Sequence, residues 1–150
     1  MFNRAVIGGT FDTMHKGHRK ILDIGFKVSK SVVIGLTSDS FANRFRISEV
    51  LPYRNREKML RAYLKKFKKP FRIVKINDAY GVVTTDPDFD CIIVSEETLL
   101  RAEEINIIRF KKGLEKLSVV VVPLEMAEDG KPISSDRIVN GEIDTEGRVL

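Results

Sequence analysis

The sequence predicts an α/β protein with three layers and a doubly wound, parallel sheet of about five strands. Short, β-branched and continuously apolar runs recur along the chain, as in parallel strands that are buried on both faces. Segments whose apolar residues have helical spacing separate these runs, and this alternation is typical of doubly wound sheets. No linker, repeat or low-complexity region interrupts the 150 residues. We therefore expect a single domain over residues 1–150.

The elements can be placed individually. The predicted strands are residues 4–8, 32–36, 71–76, 91–94 and 118–122. The predicted helices are residues 17–29, 38–46, 53–69, 98–113 and a last short one from 134 or 135 to 141. Several ends carry the expected breakers, such as Pro52 before the third helix and Pro123 after the fifth strand. This order predicts a Rossmann-like sheet.

The charge balance favours an anionic ligand. The chain has 26 Lys and Arg against 21 Asp and Glu, a net charge of +5, which suits a nucleotide or a nucleic acid. The densest basic run is residues 61–69, and its apolar neighbours Leu60, Tyr63, Leu64 and Phe67 fall at helical spacing. The lysines then form the solvated face of an amphipathic helix, so we expect no nucleic-acid partner.

The apolar runs, the N-terminal segment and the single cysteine indicate where in the cell the protein is expected. The longest apolar runs are about five to eight residues, too short to span a membrane. A strand begins almost at once, which leaves no room for a signal peptide. The single cysteine, Cys91, lies in an apolar strand and is expected to be a buried core thiol. We expect a cytoplasmic protein with no membrane partner, and the oligomeric state stays open.

Residues 8–18, with the sequence GGTFDTMHKGH, contain both histidines of the chain, His15 and His18. Glycines let the backbone approach a phosphate, and the helix that follows offers free N–H groups and a positive dipole end. Either imidazole can donate to a phosphoryl group and stabilise negative charge there. The segment predicts a phosphate pocket. The alternatives are two structural histidines or a zinc site near Asp12.

Three polar segments follow predicted strands: residues 8–18, 95–98 and 133–137. In doubly wound sheets ligands bind beyond the carboxyl ends of the strands, where the strand order reverses. We therefore expect the three segments to converge. Ser134 and Ser135 could bind an anion at the start of the last helix, or one of them could be an ordinary N-cap.

Residues 9–12 (GTFD) and 15–18 (HKGH) resemble the signature of the nucleotidylyltransferase superfamily, which transfers an adenylyl or cytidylyl group to a phosphate-bearing acceptor. Residues 133–135 (ISS) resemble its second signature, although Asp136 stands where adenylyl-transferring branches often carry threonine. Nearly the whole chain resembles the archaeal and eukaryotic type of phosphopantetheine adenylyltransferase, through residues 35–39, 94–98, 104–106, 127–130 and 141–144.

This resemblance implies an enzyme of coenzyme A synthesis that transfers AMP from ATP to 4′-phosphopantetheine, with Mg²⁺ carried by ATP and no metal site of its own. His18 and His15 are the implied catalytic residues, with His18 at the α-phosphate and His15 at the triphosphate or adenine side. The acceptor phosphate is expected to meet Thr10 and either Arg44 or Arg46. The implied ligands of ATP and its phosphates are Gly9, Thr10, Phe11, Gly17, His18, Asn106, Arg109, Ser134, Ser135 and Arg137.

Two other functions remain open from the sequence. One is a different nucleotidylyltransferase, whose acceptor is flavin mononucleotide, nicotinamide mononucleotide or glycerol phosphate. The other is a non-catalytic module that binds nucleotides or RNA through its basic surface. Pyrophosphate release separates the enzymes from the binding module, because only nucleotidyl transfer produces it.

Overall fold

The strands form one parallel sheet in the computed structural model, which describes residues 1–44, 46 and 49–150. The described residues contain five strands, in the spatial order β3-β2-β1-β4-β5. Every pairing between neighbours is parallel, which confirms the predicted fold class. The strands are β1 (Phe2–Gly9), β2 (Ser29–Thr37), β3 (Phe71–Ile76), β4 (Cys91–Ser95) and β5 (Ser118–Val122).

The helices cover both faces of the sheet. They are α1 (Lys16–Val28), α2 (Asp39–Asn43), α3 (Tyr53–Leu64), α4 (Leu99–Lys111) and α5 (Ser135–Val139). Two short 3₁₀ turns, Gly81–Thr84 and Glu96–Thr98, precede and follow β4. The described residues contain no helix that is both long and apolar enough to cross a bilayer.

Side-chain alternation along the strands divides the core into two layers. Ala5 and Ile7 of β1 pack with Leu22 of α1 and Leu60 of α3 on one face. Val6, between them, faces the opposite way and packs with residues of β4 and α4. Because both faces are covered, the central strands are apolar at nearly every position. Cys91 of β4 is buried as predicted, and burial raises the pKa of its thiol to about 12.

Two helices, α2 and α3, end at least three residues before the predicted end. α3 ends at Leu64 rather than at residue 69, because Lys66 and Phe67 donate to carbonyls three residues back and tighten the last turn. The Phe67 ring then stacks on Phe26 of α1 at 4.2 Å between centroids. α2 ends at Asn43 rather than at residue 46, and Phe45 of the predicted range lies outside the described residues.

The connection between β3 and β4 decides where a ligand can bind. The chain runs outward from β1 through β2 to β3, then crosses over to β4 on the other side of β1. The carboxyl ends of β1 and β4 are therefore neighbours, yet their following segments turn to opposite faces. This is the reversal point at which doubly wound sheets bind ligands.

Candidate active site

A polar cleft of about 310 Å³ opens at the carboxyl ends of β1 and β4. The loop after β1 contributes Thr10, Phe11, Asp12, His15, Gly17 and His18 to its lining. Ser95, Glu97 and Thr98 line it from the end of β4, and Ile133, Ser134, Ser135 and Asp136 from the start of α5. The predicted convergence of three polar segments is therefore confirmed.

His15 is the N-cap of α1. Its Nδ1 accepts hydrogen bonds from the backbone N–H of Gly17 at 3.0 Å and of His18 at 3.3 Å. A neutral imidazole that accepts through Nδ1 carries its proton on Nε2, which can donate it to a phosphate. The Lys16 N–H donates to the Thr145 carbonyl. These N–H groups of the first turn are already bonded, so the prediction that they are free to bind phosphate is wrong.

The glycines of the loop make room for these rings. A Cβ on Gly17 would lie 2.9 Å from Cε1 of His15, so a side chain there would displace the capping imidazole. A Cβ on Gly9 would lie 2.7 Å from the Phe11 ring. Phe11 and Met14 adopt φ values of 50° and 47°, in the left-handed region. Such strained backbone often marks functional loops.

His18 stacks on His15, with 3.7 Å between ring centroids and 16° between ring planes. Its Nδ1 is buried without a hydrogen-bond partner among the described residues. Burial lowers the pKa of His15 to about 4. Burial and the neighbouring His15 and Arg46 also lower the pKa of His18. Both rings are therefore neutral near pH 7, and an uncharged imidazole can still donate a hydrogen bond.

Ser134 and Ser135 close the cleft from the opposite side. Ser134 Oγ accepts from the Arg137 N–H at 3.3 Å, so this residue is the N-cap of α5 as well as part of the lining. The hydroxyls of Ser135 and Thr13 are 3.0 Å apart, which joins the start of α5 to the loop after β1. The two signatures of the sequence thus meet through a direct hydrogen bond.

Arg46 spans the cleft between two carboxylates. It donates to Asp12 Oδ2 at 3.1 Å and to Asp136 Oδ1 at 3.0 Å. Asp12 is 5% exposed, and its Oδ1 has no hydrogen-bond partner among the described residues. Of the two arginines left open by the sequence, the structure brings Arg46 to the cleft, whereas Arg44 is exposed and its guanidinium lies 5.9 Å from the Phe41 ring.

Three predicted ligand residues are placed elsewhere, and their assignment is corrected. Asn106 binds both the N–H and the carbonyl of Leu117. Arg109 is fully buried and donates to main-chain carbonyls, and Arg137 pairs with Asp129 and Glu142. None of the three is among the described residues that line the cleft. Their polar groups hold loops together.

The structure contains a second cavity that the sequence did not predict. It is an apolar pocket of about 210 Å³ between the sheet and α4, and it shares five lining residues with the cleft: Gly8, Gly9, Ile93, Val94 and Thr98. Gly8 and Gly35 are paired neighbours on β1 and β2 and line the pocket without side chains. A Cβ on Gly8 would meet only the Gly35 carbonyl, at 4.0 Å. Glycines inside apolar runs were the one sequence feature that could have indicated this pocket. That two of them lie side by side is known only once the register of the strands is known.

Comparisons with known proteins agree with this geometry. Residues 6–141 match the Cytidylyltransferase-like family. The bifunctional phosphopantetheine adenylyltransferase/NTP phosphatase of Thermoplasma volcanium is 43% identical over 97% of this chain, which spans 44% of that protein. The phosphopantetheine adenylyltransferase of Methanothermobacter thermautotrophicus is 41% identical over 99% of this chain and 90% of that protein.

A solved structure shares the fold. The crystal structure of a protein of unknown function from Archaeoglobus fulgidus superposes with a TM-score of 0.73 and 35% identity, over 79% of this chain and 88% of that one. The family match covers most of the chain, and two relatives whose names include phosphopantetheine adenylyltransferase match nearly all of it. The chain belongs to the cytidylyltransferase-like family and, within it, to the phosphopantetheine adenylyltransferases.

Proposed function

We propose that this protein transfers AMP from ATP to 4′-phosphopantetheine, giving dephospho-coenzyme A and pyrophosphate. One observation carries the proposal: a polar cleft with two stacked imidazoles opens directly onto an apolar pocket. The cleft suits the phosphates of ATP and of the acceptor. The pocket suits a long uncharged arm attached to the acceptor phosphate. The names of the archaeal relatives support the same substrate pair.

The reaction needs alignment more than it needs a base. An oxygen of the acceptor phosphate forms a bond to the α-phosphorus of ATP, and the bond from that phosphorus to the bridging oxygen breaks. The electron pair leaves with pyrophosphate. Because a phosphate is already anionic at neutral pH, it attacks without giving up a proton to the protein. Catalysis then consists of holding three groups in line and neutralising charge.

The side chains divide this work. His18 donates to the α-phosphate in the transition state, and its buried, unpartnered Nδ1 supports a role for this ring in ligand binding. His15 donates its Nε2 proton on the triphosphate side. Ser134 and Ser135 contact the β- and γ-phosphates from α5, and Arg46 exchanges a carboxylate for phosphate. The backbone N–H groups of Thr10 and Phe11 hold phosphates of ATP, and the Thr10 hydroxyl helps to place the acceptor phosphate.

Magnesium would enter with the triphosphate. The described residues form no cluster of three or more His, Cys, Asp or Glu side chains that could hold a metal alone. The cleft does offer Asp12, whose buried Oδ1 has no hydrogen-bond partner among the described residues. One carboxylate together with phosphate oxygens and water fits the coordination that Mg²⁺ prefers. When bound, the ion neutralises charge on the leaving pyrophosphate.

Two of the four lysines after α3, Lys66 and Lys69, have intramolecular partners, which supports small molecules rather than nucleic acid as ligands. Lys66 contacts the Tyr63 hydroxyl and Asp23, and Lys69 donates to the carbonyls of Phe26 and Ser29. These lysines stabilise the end of α1 opposite the cleft. ATP and 4′-phosphopantetheine are thus the proposed partners, and the cytoplasm is the proposed location.

A panel of acceptors tests the proposal. The protein is incubated with ATP, magnesium and one of 4′-phosphopantetheine, nicotinamide mononucleotide, flavin mononucleotide or glycerol phosphate. Pyrophosphate should appear far faster with 4′-phosphopantetheine than with the other three. Preference for another acceptor would keep nucleotidyl transfer and reject the substrate. Binding of ATP without pyrophosphate release from any acceptor would reject the enzyme and favour a binding module.

A further inference from the structure

A buried arginine lies beneath the loop that follows β1. Arg56 of α3 is fully buried, and its guanidinium has four partners. Nε donates to the Leu51 carbonyl at 2.7 Å, and Nη2 donates to Asp39 Oδ1 at 2.9 Å. Nη1 donates both to the Thr10 carbonyl at 3.1 Å and to Thr37 Oγ1 at 3.2 Å. A buried charge is tolerated when it is paired and hydrogen-bonded in this way.

The hydrogen bonds that start at Arg56 have a direction. A guanidinium only donates, so Thr37 Oγ1 accepts from Arg56. The Thr37 hydroxyl in turn donates to Thr10 Oγ1 at 3.0 Å. Each hydroxyl has a single proton, so Thr10 accepts from Thr37 and its own proton is left to bind something else. The chain of donors leads from a buried cation toward the cleft.

The position of the two threonines indicates what that proton meets. Thr37 lines the apolar pocket, and Thr10 lines the cleft. An acceptor whose arm lies in the pocket and whose phosphate faces ATP must have that phosphate where the two cavities join. Among the described residues, those lining the two cavities include both threonines but not Arg56. Arg56 therefore acts on the acceptor only through other groups.

We propose that Arg56 and Thr37 are positioning residues that aim the Thr10 hydroxyl proton at the phosphate of the acceptor. This inference rests on the proposed function, because it assigns the phosphate at the junction to 4′-phosphopantetheine. Thr10 touches the acceptor, and Thr37 fixes the rotamer of the Thr10 proton. Arg56 holds the Thr10 carbonyl and the Thr37 hydroxyl together. Hydrogen bonds in such a chain polarise one another, which strengthens the last one.

Thr37→Val tests the relay, because valine keeps the shape of threonine and removes its hydroxyl. We expect the KM for 4′-phosphopantetheine to rise about tenfold, the size of one lost hydrogen bond to a charged group. The KM for ATP should change less than about twofold, since the relay does not reach the triphosphate. Thr37→Ser is the matched control, and its restored hydroxyl should keep both KM values near those of the wild type.

A double variant separates the relay from direct contact of Thr37 with the acceptor arm. If Thr37 acts through Thr10, the pair Thr10→Val and Thr37→Val should bind 4′-phosphopantetheine no more weakly than Thr10→Val alone. Calorimetric titration of each variant with 4′-phosphopantetheine measures this without turnover. Arg56→Lys extends the test. It keeps the buried charge but cannot reach all four partners, so it should raise the same KM.

The outcomes distinguish the two proposals. If the wild type is active but the double variant loses the affinity for 4′-phosphopantetheine of both single variants combined, the relay is overturned and the proposed function stays intact. Equal increases in both KM values for Thr37→Val, or failure of Thr37→Ser to restore them, would overturn the relay too. A wild type that releases no pyrophosphate with 4′-phosphopantetheine would overturn the proposed function and, with it, the relay.

Discussion

The two cavities at the reversal point of the sheet are built in opposite ways. The cleft is made by side chains, since imidazoles, hydroxyls and an arginine project from three loops into one space. The pocket is apolar and is open at Gly8, where a Cβ would have no heavy atom nearer than the Gly35 carbonyl, at 4.0 Å. The cleft therefore suits a charged ligand, whereas the pocket suits an uncharged one.

This difference has a consequence for substrate recognition. A polar group in the cleft can be changed without altering the pocket, and a methyl group in the pocket can be added without touching the phosphate ligands. Nucleotide binding and acceptor binding should therefore respond to different substitutions. The part common to both cavities is lined by Gly8, Gly9, Ile93, Val94 and Thr98. The following variants test how far the separation extends.

The largest effect is expected at His18. His18→Ala removes a donor to the α-phosphate and should lower kcat on the order of 10²–10³-fold, the usual loss for one transition-state donor. The KM for ATP should change far less, because the triphosphate keeps its other contacts. Steady-state kinetics measure both constants. Near-normal turnover in this variant would remove His18 from the chemical step.

Filling the pocket should have the next largest effect. Gly8 lies on the same strand face as Val6, and its Cβ would point into open space. Gly8→Val should therefore fold, and its side chain should occupy space meant for the acceptor arm and raise the KM for 4′-phosphopantetheine about tenfold, or about 1.4 kcal/mol. Gly8→Ala adds a smaller side chain and is the control, so it should raise this KM less. Acceptor kinetics unchanged in both variants would show that the arm lies elsewhere.

A smaller effect is expected at Asp136. Its carboxylate pairs with Arg46, which lines the cleft, so under the proposed function it competes with the acceptor phosphate for that guanidinium. Asp136→Asn keeps the shape, removes the charge and should lower the KM for 4′-phosphopantetheine by roughly threefold to fivefold. Glu103→Gln, an exposed change on α4, controls for net charge. A higher KM in Asp136→Asn would instead show that the carboxylate holds Arg46 in place.

The buried imidazoles also make the free energy of unfolding depend on pH. This dependence is confined to acidic pH and is absent near pH 7. His15 has a pKa of about 4 in the folded protein and an ordinary value of 6.5. Between these values the unfolded chain binds the proton and the folded protein does not, so the free energy of unfolding falls as the pH drops from about 6.5 to about 4. Below this window the loss is complete.

Urea unfolding at a series of pH values measures this dependence. His15→Asn is the informative variant, because asparagine is a good N-cap and does not titrate. Its free energy of unfolding should depend less steeply on pH in this window, while His18 maintains part of the slope. Identical slopes for the variant and the wild type would contradict the assignment of the linkage to His15.

Much of the fold and part of the site could be predicted because their causes are local. Apolar runs determined the strands, and β3 and β5 have the bounds that were predicted. The gathering of three polar segments follows from parallel strands, whose carboxyl ends all reach one edge. Residues 8–18 are close in sequence, so the grouping of both imidazoles in one loop after β1 could be predicted from their spacing.

Other assignments failed because the partners lie far away in the chain. Arg109 looks like a ligand of an anion until the carbonyls of Val83 and Asp86 come within hydrogen-bond distance. Arg44 and Arg46 are equivalent in sequence, and only the packing of their segment brings one of them to Asp12. A polar side chain takes the nearest unsatisfied group, and that group is set by tertiary contacts.

The sequence by itself determined the class of fold, the edge of the sheet where the three polar segments meet and the imidazole groups available there, because these depend on short-range spacing and strand topology. Only the tertiary structure decided the tautomer of His15, the pairing of Arg46, the apolar pocket and the relay from Arg56 to Thr10. Each of these depends on distances between residues of different elements. Such distances are fixed when the strands acquire their register and the helices pack on the sheet.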